Sequence, residues 1–211
     1  MGESDDGWLV EGSTEPADVS AFYDDWAERY DTDLDEWAYT APNVVARLVQ
    51  QHAPGARAVL DAGCGTGLTG KALRAEGYQG VLNGIDLSEQ SVAVAAESGA
   101  YSSVEPGNLQ QPLSFDDDSF DALICVGVMT YVPNVDACWR EFCRVVRPGG
   151  VVVATQREDL WEPRSTPATI ERLQTDGLWR PIWVSDPQPY LPGNEGFGDH
   201  IGVQYVAARV A

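Results

Sequence analysis

From residue 57 onward, short apolar runs and stretches of helical spacing take turns along the chain. Residues 58–60 and 81–86 have the length of strands, and 119–129 reads as a buried fourth strand. The segment 145–154 reads as a helix end, a Pro-Gly-Gly turn and a fifth strand, with Pro stopping the helix and glycine reversing the chain. Between the strands, Ser88 is placed to cap a helix that carries Val92, Val94, Ala95 and Ala96. Strand and helix alternating over 57–156 predict a parallel sheet with right-handed crossovers. Upstream, a helical pattern begins at Val19 and sets Phe22, Trp26 and Tyr30 on one aromatic face. A second helix is expected from about Asn43 to Gln51, started by Pro42 and stopped before Pro54. Downstream, a helix over 166–176 presents Ala168, Ile170 and Leu173, and strands near 179–184 and 201–209 finish the chain. Residues 1–17 are acidic and aperiodic, so a disordered tail is expected there. Residues 18–211 are expected to form one domain.

Composition narrows the class. An apolar content of 44% in 211 residues supports a single three-layer core. The formal charge of −20 repels phosphate backbones and anionic bilayers, which argues against nucleic acid and membrane partners. No run resembles a signal peptide or a membrane span. Cys64, Cys125, Cys138 and Cys143 form no Cys-x-x-Cys pair, so neither a disulfide framework nor a metal site is expected. A reduced, cytoplasmic protein follows, as a monomer or homodimer.

The chemistry concentrates at Val59-Leu-Asp-Ala-Gly-Cys-Gly-Thr-Gly-Leu-Thr-Gly70. An apolar strand ends at Asp61, enters a turn with glycines at 63, 65 and 67, and opens a helix whose free N–H groups face the turn. Such a unit cradles a small ligand. A dinucleotide fingerprint needs glycine at 68, where this chain has Leu68, and Asp61 would repel a pyrophosphate while suiting a cationic amino group. Asp86 closes the second apolar run nineteen residues beyond Gly67, where a carboxylate can accept from both ribose hydroxyls.

This run resembles motif I of the class I S-adenosylmethionine-dependent methyltransferases. Gly107-Asn-Leu-Gln-Gln-Pro-Leu-Ser-Phe115 is similar to the family's adenine-holding turn, with Asn108 where Asp is common. The strings Phe22-Tyr-Asp-x-Trp-Ala-x-x-Tyr-Asp and Tyr39-x-Ala-Pro, with Leu-x-x-x-Gly-Leu-Trp over 173–179, resemble the Williams–Beuren-region methyltransferase-like subgroup. The resemblance covers about residue 19 to the end. It implies a Rossmann-like three-layer α/β sandwich with a mostly parallel seven-stranded sheet, a reversed last strand and an N-terminal helical lid over 18–54. It further implies that S-adenosylmethionine is the cofactor and S-adenosylhomocysteine the product. Tyr23, Tyr30 and Tyr39 would reach the methionine carboxylate from the lid. Asp61, Gly63, Cys64, Gly65 and Gly67 would line the turn, followed by Asp86, Leu87, Asn108, Leu109 and Cys125.

The expected reaction is in-line methyl transfer to the oxygen, nitrogen or carbon of a small molecule, for which positioning supplies most of the rate. A general base is harder to find. His52 closes a helix and reads as a solvated residue favourable to the dipole. The loop over 186–200, with Tyr190, Phe197, Asp199 and His200, should return to the cofactor's sheet edge. His200 is the candidate base and Tyr131, with Thr130, a candidate at the substrate mouth; a His satisfied at a strand start remains the alternative. The Asn/Asp-Pro-Pro-Tyr signature of amide and adenine N-methyltransferases is absent after strand four, where Cys125-Val-Gly-Val stands. A cofactor-binding protein that performs no methyl transfer remains the competing reading.

Overall fold

The computed structural model describes residues 3–198 and 200–211, without side-chain detail for 3–6. Three helices come first: α1 (Glu3–Glu11), α2 (Pro16–Glu36) and α3 (Ala41–His52). The core then runs β1 (Ala58–Ala62), α4 (Leu68–Ala75), β2 (Val81–Asp86), α5 (Glu89–Glu97), β3 (Ser103–Pro106) and β4 (Phe120–Cys125). A 3-10 turn at Met129–Tyr131 leads to α6 (Val135–Val145) and β5 (Val146–Arg157), then α7 (Glu158–Trp161) and α8 (Thr166–Thr175). The chain closes with β6 (Trp179–Val184), the two-residue β7 (Gln188–Pro189) and β8 (Gly202–Val210).

The sheet order is β3-β2-β1-β4-β5-β8-β6, with β7 pairing on β8. Strands β1 to β5 pair in parallel, whereas β8 runs antiparallel to both β5 and β6. This is the Rossmann-like arrangement with a reversed last strand; the strands in the main path number seven and β7 adds a short eighth. Leu123, Ile124, Val151 and Val153 are fully buried because helices cover both faces of the central strands. On one face Trp139 and Phe142 of α6 pack with Leu173 of α8, and on the other Val45 and Val49 of α3 pack with Leu73 of α4. Ser88 caps α5 as expected, its hydroxyl accepting from the Ser91 N–H at 3.0 Å. No helix among the described residues is long and apolar enough to cross a membrane.

The N-terminus departs from the tail expected over 1–17. Residues Glu3–Glu11 form α1, and α2 starts at Pro16, while Met1 and Gly2 lie outside the described residues. Two apolar anchors outweigh the acidic composition: Trp8 stacks on Phe22 with ring centroids 4.8 Å apart, and Leu9 is buried.

Candidate active site

Strand order reverses between β1 and β4, and the loops at the C-terminal ends of the neighbouring strands open a crevice there. A cavity with about 710 Å³ of empty space, its open mouth included, fills this crevice. Its wall is built in strand order: Gly63 and Gly65 follow β1, Asp86 and Leu87 end β2, Gly107 to Gln110 follow β3, and Val126 to Val128 follow β4. Helix α2 covers it with Val19, Tyr23 and Tyr30.

That cover is fastened by short polar contacts. Asp24 accepts from the Ser88 hydroxyl at 2.7 Å and from the Gln90 N–H at 3.1 Å. Ser20 donates to the Leu87 carbonyl at 3.2 Å. Asp31 accepts from the Thr66 hydroxyl and pairs with Lys71 at 2.7 Å.

Gly63 and Gly65 have φ values of +81° and +52°, a region that favours glycine. A Cβ on Gly63 would lie 2.2 Å from Val128 Cγ2, so its absence lets two loops close on each other. A Cβ on Gly65 would meet nothing within 4 Å and would project into open space. The Gly65 N–H donates to Asp86 Oδ2 at 2.8 Å, and the Ser88 N–H donates to Asp86 Oδ1 at 2.9 Å. Burial pushes the Asp86 carboxyl above its ordinary value, opposed by these backbone donors. Each oxygen keeps further acceptor capacity.

A second, smaller chamber, with about 370 Å³ of empty space once the solvent at its mouth is included, adjoins the first. Tyr23, Tyr30, Gly127 and Tyr131 line both, and so form their boundary. The Tyr23 hydroxyl donates to the Tyr131 hydroxyl at 2.9 Å. Beyond them stand Trp26, Tyr39, Tyr190, Phe197 and the guanidinium of Arg157. Burial raises the Tyr23, Tyr30, Tyr39 and Tyr131 hydroxyls above the ordinary phenol value, so they remain protonated near neutral pH.

Residues 60–154, which run from β1 into β5, match the family model described as a methyltransferase domain. Human methyltransferase-like protein 27 is 33% identical over 181 residues, which cover 78% of this chain and 70% of that protein. This chain belongs to the class I S-adenosylmethionine-dependent methyltransferases, in the Williams–Beuren-region group. The methyltransferase also matches the malonyl-[acyl-carrier protein] O-methyltransferase of Erwinia pyrifoliae at 37% identity, over 51% of this chain but only 40% of that relative. In fold it is similar to the geranyl diphosphate C-methyltransferase of Streptomyces coelicolor A3(2), solved with S-adenosyl-L-homocysteine. There the TM-score is 0.61 at 15% identity, covering 80% of this chain and 79% of that one.

S-Adenosylmethionine is therefore the cofactor of this methyltransferase, and the first cavity fits it. Asp86 brings carboxylate acceptors to its wall, and a Cβ on Gly65 would project into its open space. Among the described residues the cavity is lined by an acid and by no base of Lys or Arg type, which suits a sulfonium.

Of the residues singled out by sequence, Tyr23, Tyr30, Gly63, Gly65, Asp86, Leu87, Asn108, Leu109 and Tyr131 line this cavity. Tyr39 lines the second chamber instead. Four others lie behind the wall. Asp61 is fully buried and accepts from the Tyr101 hydroxyl at 2.7 Å, while its Oδ1 has no partner. Gly67 makes room for Tyr101 rather than for a ligand: a Cβ there would lie 3.1 Å from the ring. Cys64 packs against Gly84, and Cys125 is enclosed in the core of β4. The Asn108 carbonyl, expected to face adenine, accepts from the Gln110 N–H at 2.9 Å within its own turn.

His200 is exposed and lines neither cavity, so the structure does not bring it to the site. The reason lies in the turn before it. Asn194 Oδ1 accepts from the Gly196 and Phe197 N–H groups, and the loop turns Phe197, only 1% exposed, inward. Asp199 lies outside the described residues. Sequence reasoning missed Arg157 at the inner end of β5. Its signal was a Gln156-Arg157 pair terminating an apolar run at the sheet edge where ligands bind.

Proposed function

We propose that this methyltransferase acts on a small molecule held in the second chamber. The observation that carries this is the second chamber's wall of aromatic side chains and the boundary it shares with the cofactor cavity. The chain's charge of −20 disfavours nucleic acid.

When bound, S-adenosylmethionine supplies an electrophilic methyl group on a charged sulfur. Asp86 holds the ribose, and the Gly63–Gly65 turn takes the methionyl part. Helices α1 and α2 act as the lid, with the contacts of Asp24 and Asp31 fastening it and excluding water, while α3, expected to join them, packs on the sheet face instead. Tyr131, fixed by the Tyr23 hydroxyl, orients the acceptor at the boundary. It does so as a neutral phenol, through hydrogen bonding to the acceptor rather than by removing its proton. No carboxylate or histidine lines the second chamber among the described residues, which favours acceptors already nucleophilic near neutral pH.

The test is S-adenosylhomocysteine formation after incubation with S-adenosylmethionine and a cell extract split by size. Product is expected with the low-mass fraction. Product formed only with the protein or RNA fraction would refute the small-molecule reading.

A further inference from the structure

Arg157 is the sole cationic side chain lining either cavity among the described residues, and it is 2% exposed. It ends β5 next to the end of β4, at the sheet edge where open α/β folds take their ligands. Its guanidinium lies over the Phe197 ring, 5.3 Å from the centroid. Asp159 takes one edge, accepting from Nε at 2.9 Å and from Nη2 at 2.5 Å.

The other edge meets main chain. Nη1 donates to the Leu9 carbonyl, and Nη2 donates to the Val10 carbonyl at 3.3 Å. Of the five guanidinium N–H groups, four are engaged, which leaves one on Nη1 without a partner among the described residues. Leu9 and Val10 belong to the last turn of α1, whose carbonyls lack helical partners and carry the negative end of the helix dipole. One oxygen on each terminal nitrogen is also how a carboxylate pairs with a guanidinium.

A clamp on α1 is the plain explanation of these contacts, but it does not require a position inside the chamber. Helix-end carbonyls are satisfied by water at a surface, whereas burying an arginine carries a desolvation cost. We infer that Arg157 is an anion anchor, and that the acceptor is a small carboxylic acid with an apolar or aromatic body. Its carboxylate takes the place of the Leu9 and Val10 carbonyls on the guanidinium. Its body lies along the rings of Tyr39 and Tyr190, and its reacting end points to Tyr131. The chain's charge opposes anions at a distance, but that field is screened over about 8 Å; Asp159 offsets part of the guanidinium's charge, so the acid is held chiefly by hydrogen bonds from Nη1 and Nη2. This inference rests on the two-chamber reading above.

The test uses the full chain saturated with S-adenosylhomocysteine and ligand-observed NMR titrations of phenylacetate and hexanoate against their neutral amides. The acids are expected to bind about tenfold or more tightly than the amides. Arg157→Gln should erase that preference with S-adenosylhomocysteine affinity unchanged, and Arg157→Lys should restore part of it. Should the glutamine variant fail to fold, the acid–amide comparison on the parent decides alone. Equal binding of acid and amide, or binding of neither, would overturn the inference. So would a loss of S-adenosylhomocysteine affinity in Arg157→Gln, because the arginine would then hold the cofactor's own carboxylate. Failure of the parent to bind S-adenosylhomocysteine would overturn the cofactor-cavity reading first, and this inference with it.

Discussion

Replacing Asp86 with alanine removes the carboxylate that joins the glycine turn to the start of α5. In the structure each oxygen already accepts one backbone N–H, from Gly65 at 2.8 Å and from Ser88 at 2.9 Å. Both donors lose that partner in the variant; Gly65 lines the cavity, whereas Ser88 is fully buried. The stability loss should therefore fall in the range for unpaired buried groups, about 1–3 kcal/mol. The affinity effect is separate. Hydrogen bonds from ribose hydroxyls to a charged acceptor, offset by the water that replaces them, amount to about 1–3 kcal/mol. Binding of S-adenosylhomocysteine should then weaken about 5- to 150-fold. Asp86→Asn keeps the shape and one acceptor oxygen but sets an amide against a backbone N–H, so it should fall between parent and alanine. Calorimetric titration measures the affinities, with circular dichroism melts establishing that each variant is folded at the titration temperature. Unchanged affinity in a folded Asp86→Ala protein would refute the ribose role.

Three further outcomes follow from the geometry. Gly65→Val, strained at its positive φ, should lower the melting temperature and, at temperatures where it is folded, abolish S-adenosylhomocysteine binding in the same titration, whereas Gly63→Ala should lower the melting temperature also because its Cβ would stand 2.2 Å from Val128; normal binding by Gly65→Val would show that the cradle is misplaced. Burial pushes the Asp61 carboxyl up to about 7 against the Tyr101 hydrogen bond, with Asp86 adding to the rise. The folded protein thus holds a proton that the unfolded chain releases near 3.8, so this group's stability contribution falls between about pH 4 and pH 7 and is level above. Asp61→Asn should gain stability over the parent across that window, by a few kcal/mol at most; denaturant melts that give the same difference at pH 5 and pH 8 would contradict the assignment. Tyr131→Phe should slow S-adenosylhomocysteine formation about ten- to hundredfold while leaving S-adenosylhomocysteine affinity within about twofold, since it disturbs acceptor placement alone; equal losses in both would make Tyr131 a cofactor contact.

What could be read from the sequence was what local chemistry dictates. Positive φ at Gly63 and Gly65, the acid closing β2 and the Ser88 cap each follow from a short string of residues, and the structure has them where the string puts them. The aromatic face of α2 divided between its two uses: Trp26 is buried, with its ring N–H on Asp33 at 2.6 Å, while Tyr23 and Tyr30 face the cavity. What could not be read depends on distant partners. Gly67 and Asp61 look like turn residues until Tyr101, from beyond α5, is seen between them. Helix α1 hides in an acidic stretch because its anchors, Phe22 and Arg157, lie elsewhere in the chain. His200 was placed by topology alone, and a side-chain cap by Asn194 turned the preceding loop so that Phe197 took the inward position.

A crystal structure of the chain grown with S-adenosylhomocysteine tests the central claim most directly. The ribose hydroxyls should lie within hydrogen-bond distance of Asp86, with the sulfur between the Gly63–Gly65 turn and Tyr131. Density for the nucleoside in the second chamber against Arg157, or elsewhere on the protein, would contradict the assignment of the two cavities.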